Sequence, residues 1–330
     1  MSSAVSDAKT VPAPAPTRRP LLPAGALAGS RRWLALSGFV AASAIVVLAL
    51  GEIPSRPYIL FWLIGLAWVL CWRNDHPVAR VVFDWLPVLV IAAGYDLVRS
   101  RAVDLVPRAV TDPQLQVDEF LFGGVVPTIR LQDWLVDAGT PHWWDYPVWV
   151  MYLSHFVVTP AVAVWLYLRH REWFHRYAIL ILGVCLAGFA TYFILPAVPP
   201  WLASRDGALA PTTRVVHAVW DSIGIDSASK IFDGDARLAN PVAALPSLHA
   251  AWPLMTLLFL WRKVGRWRWL LVAYNAAMVF VLVYGAEHYF SDILMGWVYV
   301  IVIYLVVNRL ADDRLADDRL ARMQGRTDPS

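Results

Sequence analysis

Two histidines in this chain stand in short polar stretches at the mouths of apolar runs, and each has the neighbours that phosphoryl chemistry needs. Pro246-Ser247-Leu248-His249 closes a long polar loop, and His288-Tyr289-Phe290-Ser291-Asp292 opens the last apolar run. A neutral imidazole attacks phosphorus when its second ring nitrogen is held by a hydrogen bond. Asp292 lies four residues beyond His288, the spacing that puts both on one helical face. There it would fix the tautomer and stabilise the imidazolium as a phosphohistidine forms. His249 would protonate the leaving oxygen as a general acid. Backbone amides from Ser247 to Ala250, at a helix start, would face a phosphate. The scheme requires no metal and no other cofactor. Singly the motifs are weak, because His-x-x-x-Asp is common and Pro and Ser are ordinary capping residues. Their weight depends on whether the chain brings them together.

The elements that must do so are membrane helices. Of 330 residues, 58% are hydrophobic and 16% charged, with 18 tryptophans, more apolar than a soluble domain of this size. The net charge of +3 is too small to suggest nucleic-acid binding. Cys71 and Cys185 both lie inside apolar runs and read as small core residues. Eight runs have helical character: Trp33 to Leu50, Tyr58 to Trp72, Asp84 to Val98, Pro147 to Leu168, Tyr177 to Leu195, Leu248 to Trp261, Trp269 to Tyr284 and Phe290 to Asn308. The second and sixth are short for the ~20 residues of a bilayer span. None alternates with period two, so strands of a membrane barrel are not expected. The expected fold is all-α, a polytopic bundle of about eight transmembrane helices around a six-helix core. Residues 1–30 read as a disordered cytoplasmic tail, 31–308 as the multi-pass membrane catalytic domain and 309–330 as a charged cytoplasmic tail. The Arg-Leu-Ala-Asp-Asp repeat of that last segment has a five-residue period that matches no helical face.

Basic residues set the orientation. With a cytoplasmic amino terminus, the inner segments carry Arg18, Arg19, Arg31 and Arg32; Arg73 and Arg80; Arg169, Arg171 and Arg176; and Arg262, Lys263, Arg266 and Arg268. The outer segments, Arg99 to Tyr146 and Pro196 to Ser247, hold more acids than bases. This topology expects His249, His288 and Asp292 at one outer membrane surface, in a cell membrane protein with both termini inside. Other outer features read as scaffolding. Gln114 to Gln132, broken at Gly123-Gly124 and Pro127, would lie in the interface, and Trp143, Trp144 and Trp201 suit an interfacial aromatic belt. Glu287 is read as a loop acid pointing away from His288.

The two histidine stretches resemble the second and third signatures of the type-2 phosphatidic acid phosphatase superfamily. The Leu of Pro-Ser-Leu-His, the approach Asn240-Pro-Val-Ala-Ala-Leu245, and Thr191-Tyr192 through Pro199-Pro200-Trp201 resemble its inositol phosphorylceramide synthase branch. The resemblance implies His288 as nucleophile, Asp292 as its partner and His249 as acid/base. It also draws Tyr192 and Asn240 into the set of candidate substrate-binding residues, with Ser247. The departures concern charge. The superfamily's usual Lys and Arg-Pro are absent from Pro196 to Trp201, and Val281 and Leu282 stand where a Ser-Arg is expected. The counter-charge for phosphate must come from elsewhere, and Arg99, Arg101, Arg205, Lys230 and Arg237 are candidates. Arg237 precedes the approach to His249, while Arg99 follows Tyr95-Asp96, where an ion pair is the simpler reading.

The expected activity is cleavage of a lipid phosphoester at the outer face, without metal, with transfer of the phospho-head-group to an inositol-like alcohol. Water as acceptor would make it a phosphatase of polyprenyl or phosphatidate-type lipids. The partners expected are a lipid phosphate or phospholipid, the alcohol and the membrane, with no nucleic acid. A transporter or channel with outer histidines is the reading from another class, though no helix centre carries the charges of an ion path. A metal site built from His249, His288 and Asp292 is a third.

Overall fold

The structure is a computed structural model. It describes residues 83–136, 140–224 and 240–324, together with 37–39, 41, 42 and 45; side chains are described to residue 310, except those of 92, 96, 99, 100, 102 and 103. The expected helices at Trp33 to Leu50 and Tyr58 to Trp72, the amino-terminal tail, Cys71, Lys230 and Arg237 lie wholly or largely outside these residues.

The chain forms α1 (Leu86–Ser100), α2 (Asp112–Leu121), α3 (Pro127–Leu135), α4 (Asp145–Arg169) and α5 (Arg171–Ile194). Then come α6 (Pro200–Arg205), α7 (Val215–Ser222), α8 (Leu248–Leu260), α9 (Arg268–Tyr284) and α10 (Phe290–Gln324). The described residues form no β-strand, only isolated bridges, and the fold is an all-α membrane bundle. Among the described residues, four helical stretches are long and apolar enough to cross a bilayer: Asp145–Arg169, Arg171–Ile194, Gly265–Tyr284 and Phe290–Leu310. The tail differs from expectation, since α10 continues to Gln324 through the five-residue repeat. Leu, Ala and Arg propagate a helix already nucleated in the last span, and no Gly or Pro interrupts them.

The innermost element is α8. It carries no charged residue, is mostly buried, and packs against α4, α5, α9 and α10. Its 13 residues reach only about 20 Å, less than a bilayer core. Ala251, Met255, Phe259 and Leu260 join one buried cluster with α5 residues Phe174, Leu180, Val184 and Phe189. Ala250 joins a second, with Tyr152, Met278, Leu282, Tyr284 and Ile293. The α8 start is pressed against α10 so closely that a Cβ on Gly296 would come within 2.5 Å of the Ser247 carbonyl oxygen. Only glycine permits that approach.

The segments above the bundle are tied to one another by backbone hydrogen bonds. Ala197 N donates to Val242 O at 2.9 Å and Val110 N to Pro196 O at 2.9 Å, so the approach to His249 is held beside the end of α5. Between α2 and α3 the chain turns through Gly123 and Gly124, both at positive φ. The expected break there is present. The flanking helices, however, bury Gln114, Asp118, Thr128 and Gln132; they are packed polar elements and not merely interfacial scaffolding.

At the opposite end of the bundle, Lys263 lies over the Trp173 and Phe259 rings. Arg176 reaches Asn308, and Arg171 pairs with Asp84. The basic residues between α4 and α5 and between α8 and α9 thus mark one end, with the histidine stretches at the other.

Candidate active site

His249 occupies the first turn of α8. Ser247 caps that helix: its hydroxyl accepts from Ala250 N at 3.3 Å, and its own N–H donates to Asp292 O at 2.9 Å. Three of the expected phosphate-facing amides are therefore already engaged, those of Ser247 and Ala250 and that of Leu248, which donates to the Tyr192 hydroxyl. Tyr192 is buried, and its hydroxyl donates to Pro246 O at 2.8 Å; it shapes this turn. Asn240 accepts from Val242 N at 3.1 Å, an Asx-type turn that starts the approach.

The ring of His249 is set by α4. Tyr152 stacks on it at 5.1 Å, His155 lies at 4.5 Å and Phe156 meets it edge-on at 5.7 Å. Their spacing of three and four residues lines one face of α4. His155 is buried and also stacks on Trp252 at 4.5 Å. It escaped the sequence reading, although an ionisable residue inside an apolar run is itself a signal.

His288 stands in the turn between α9 and α10. Glu287 N and His288 N both donate to Leu282 O, at 3.0 and 3.2 Å, which wraps the chain around the end of α9. The next residues are held from α10 and α2. Asp292 Oδ2 accepts from Tyr289 N at 3.0 Å, while the two oxygens of Asp118 accept from Phe290 N and Ser291 N, each at 2.8 Å. A buried carboxylate from α2 thus caps α10, where the helix dipole favours negative charge. Burial pushes the Asp118 carboxyl up from its ordinary range, against the N–H groups that hold it down. Gln114, one turn earlier, contributes its carbonyl to the Ser291 hydroxyl at 3.3 Å.

The two turns meet. His249 Nδ1 lies 3.2 Å from His288 Nε2, and His288 Nδ1 lies 3.4 Å from Asp292 Oδ2. The order is carboxylate, imidazole, imidazole, with the two nitrogens of His288 facing different partners. The second of these distances is an ion-pair contact, longer than a charge-assisted hydrogen bond. Asp292 is fully buried and His288 nearly so. His249 Nε2 and Asp292 Oδ1 are buried with no hydrogen-bond partner among the described residues.

Of the candidate cations, Lys230, Arg237 and the Arg99 side chain lie outside the described residues. Val281 and Leu282 are buried in the apolar core beside the site. Arg99 ends α1 and its side chain is not among those described. Arg101 is exposed, and Arg205 is exposed and paired with Asp206. Among the described residues, the arginine that reaches this neighbourhood is Arg214, just before α7, which bonds both carboxylate oxygens of Glu287, from Nε at 2.8 Å and Nη2 at 3.2 Å. Glu287 is a loop acid, but a buried one, held in an ion pair immediately before His288.

Residues 116–306 match the profile of the PAP2 superfamily. Phosphoinositol dihydroceramide synthase of Bacteroides thetaiotaomicron is 27% identical over 244 residues, 67% of this chain and 74% of the relative. The inositol phosphorylceramide synthase catalytic subunit of Schizosaccharomyces pombe is 30% identical over 115 residues, 34% of this chain and 27% of the relative. No solved structure matches. The profile covers more than half of the chain, including both histidine turns and the Asp118 cap, and the chain belongs to the PAP2 superfamily.

Proposed function

We propose that this protein is a membrane lipid phosphotransferase that works through a phosphohistidine on His288. The observation that carries the reading is the row Asp292, His288, His249, with one nitrogen of the central ring toward the carboxylate and the other toward the second imidazole. Asp292 holds Nδ1–H, leaving the Nε2 lone pair for attack on phosphorus. The bond from phosphorus to the leaving oxygen breaks, and His249 supplies the proton that oxygen needs. In the second half, His249 takes the proton of an acceptor hydroxyl, whose oxygen attacks phosphorus and releases His288. The two rings are in direct contact, so the phosphoryl group must part them on entering.

The two synthase relatives, each named for an inositol phosphorylceramide or phosphoinositol ceramide product, support an inositol-phosphoryl group passed between lipids. A phosphatase would use the same intermediate with water as acceptor. Residues 31–308 form the catalytic unit in this reading. Active-site chemistry takes place at the extracytoplasmic face, because the histidine turns lie opposite the basic end marked by Arg171, Arg176, Lys263 and Arg268. No step calls for a metal ion.

The test is rapid quenching of purified protein in detergent with a lipid labelled in its phosphate. We expect an acid-labile, base-stable label on the wild-type chain that discharges to an added alcohol and survives prior chelation. A label that is acid-stable, or that needs a divalent cation to form, would overturn this mechanism.

A further inference from the structure

The ion pair beside the nucleophile sets the charge of the phosphate site. Arg214 is positioned by three elements. Gln132 of α3 clasps the preceding residue, with Oε1 accepting from Thr213 N and Nε2 donating to Thr213 O, both at 2.8 Å. The same amide donates to Tyr284 O at 2.7 Å, which couples this clasp to the end of α9. Beneath the guanidinium lies the Trp201 ring, at 4.3 Å, and Trp201 N donates to Ala286 O at 3.0 Å. Nη1 donates to His217 Nε2 at 2.8 Å. These contacts hold a largely buried arginine against the turn that bears His288, on the side where Tyr152 packs on His249.

Such a construction is costly unless the charge is used. Burying an arginine and a glutamate seldom stabilises a protein beyond an apolar pair of like size. The polar clasp, the ring beneath and the fork-to-carboxylate geometry are the means by which a guanidinium is aimed. At the positions where the superfamily usually carries a cation, this chain has Val281 and Leu282, both in the core. Arg214 arrives in their neighbourhood from a different helix. Unlike a cluster of cations, it comes with a buried carboxylate one residue from the nucleophile.

We propose that Arg214 is the phosphate-binding cation of this site, and that Glu287, by pairing with it, makes the site select singly charged phosphodiesters over doubly charged phosphomonoesters. The proposal rests on the phosphoryl-transfer reading above. Among the described residues, the fixed charges nearest the histidines are those of Arg214, Glu287 and Asp292, and together they are not positive. A phosphodiester brings one negative charge and a monoester up to two. Among the described residues the second charge has no further cation to meet, and it stands against Glu287 and Asp292 in a site shielded from solvent, where like charges repel more strongly than in water. Arg214 is the phosphate-contacting residue; Glu287 acts through it as a positioning and specificity residue.

The experiment compares phosphatidylinositol, a diester, with phosphatidic acid, a monoester, as substrates of the full chain in detergent. It is run at about pH 8, where the monoester carries its second charge. Arg214→Ala should lower kcat/KM for the diester about a hundredfold, and Arg214→Lys should restore part of it. Glu287→Gln should raise the monoester-to-diester ratio of kcat/KM about tenfold, with Glu287→Asp staying near the wild-type ratio. Monodisperse elution and an unchanged melting temperature screen out misfolded variants. Should Glu287→Gln fail to fold, the wild-type preference for the diester and the Arg214→Lys series still decide the proposal.

A second arm measures binding of short-chain forms of both lipids to His288→Ala protein, with and without Glu287→Gln, so that no turnover is needed. Histidine-dependent turnover with a ratio unmoved by Glu287→Gln, or full activity in Arg214→Ala, overturns this proposal and leaves the phosphohistidine reading standing. Diester-selective binding that Glu287→Gln relaxes, without histidine-dependent turnover of either lipid, upholds this proposal and sinks that reading.

Discussion

The turns that bear the two candidate catalytic histidines reach the same place by different means. The backbone of His249 is placed locally, in the first turn of α8 with its cap, Ser247, two residues away, and only its ring is set from α4. His288 is placed from a distance. Its turn is fixed by Asp118 on α2, by Arg214 before α7 through Glu287, and by Trp201 of α6 through Ala286. The difference follows from the elements. A helix start supplies its own orphan amides and a side chain to satisfy them. A tight turn between two apolar helices leaves several buried N–H groups whose partners must come from other parts of the chain. In the proposed mechanism the ring that must be oriented to attack is the one held from afar, and the ring that has only to donate a proton rides on a helix end.

The largest expected effect separates these two roles. His288→Ala should abolish turnover and the covalent label together, because no other group stands at the attacking position. His249→Ala should lower turnover by about a hundred- to ten-thousandfold. It should recover much of that loss with a substrate whose leaving group is already a weak base. Assays with lipids bearing an alkoxide and a nitrophenoxide leaving group would show this. Equal losses on both substrates in His249→Ala would mean that this ring orients His288 and is not the proton donor.

A smaller effect tests local against distant support. Asp118→Asn can accept only one of the two N–H bonds, and the orphaned amide should cost about 1–3 kcal/mol. Ser247→Ala should cost about 1 kcal/mol, the ordinary penalty for a lost cap. Thermal melts in detergent measure both. The activity losses should be more unequal than the stability losses: Asp118→Asn lets the His288 turn shift, whereas α8 stays packed on four helices without its cap. If Ser247→Ala is the more damaging to turnover, the cap itself contacts substrate and the contrast between the turns fails.

This contrast also governs what could be read from the sequence. Helix positions from Asp84 onward are plain in the apolar runs, and His249, His288 and Asp292 stand out because their relations are short-range: a helix start, and a spacing of four. Arg214, Asp118, Gln132 and Glu287 carry no such mark. Each is an ordinary polar residue in a loop or a short amphipathic helix, and its partner lies tens of residues away in the chain. An acid at 118 within a segment that otherwise suits the interface, and an arginine opening the apolar start of α7, were the available signals. Neither states which turn it will reach. Glu287 lies in the turn and faces away from His288, as its place in the sequence suggests, but nothing there marks Arg214, 73 residues earlier, as its partner.

The smallest expected effect probes strain. Ser247, before the first histidine, has φ −71° and ψ 106°, which any residue adopts. Ala286, two residues before the second, has φ 59°, where a Cβ crowds the following carbonyl oxygen at a cost of about 1–2 kcal/mol. Ala286 is also fully buried, and its carbonyl receives the N–H of Trp201, so the surroundings hold it there. Ala286→Gly relieves the crowding but adds roughly 0.5–1 kcal/mol of backbone entropy to be lost on folding. The two nearly cancel, and the melting temperature should stay the same or rise slightly. Ala286→Val, with a branched side chain forced to the same φ, should destabilise by about 2 kcal/mol or more. A large loss in Ala286→Gly would show that the buried methyl's packing outweighs the strain. The His288 turn would then be held by its contacts alone, and would differ from the His249 turn in the reach of its supports but not in tension.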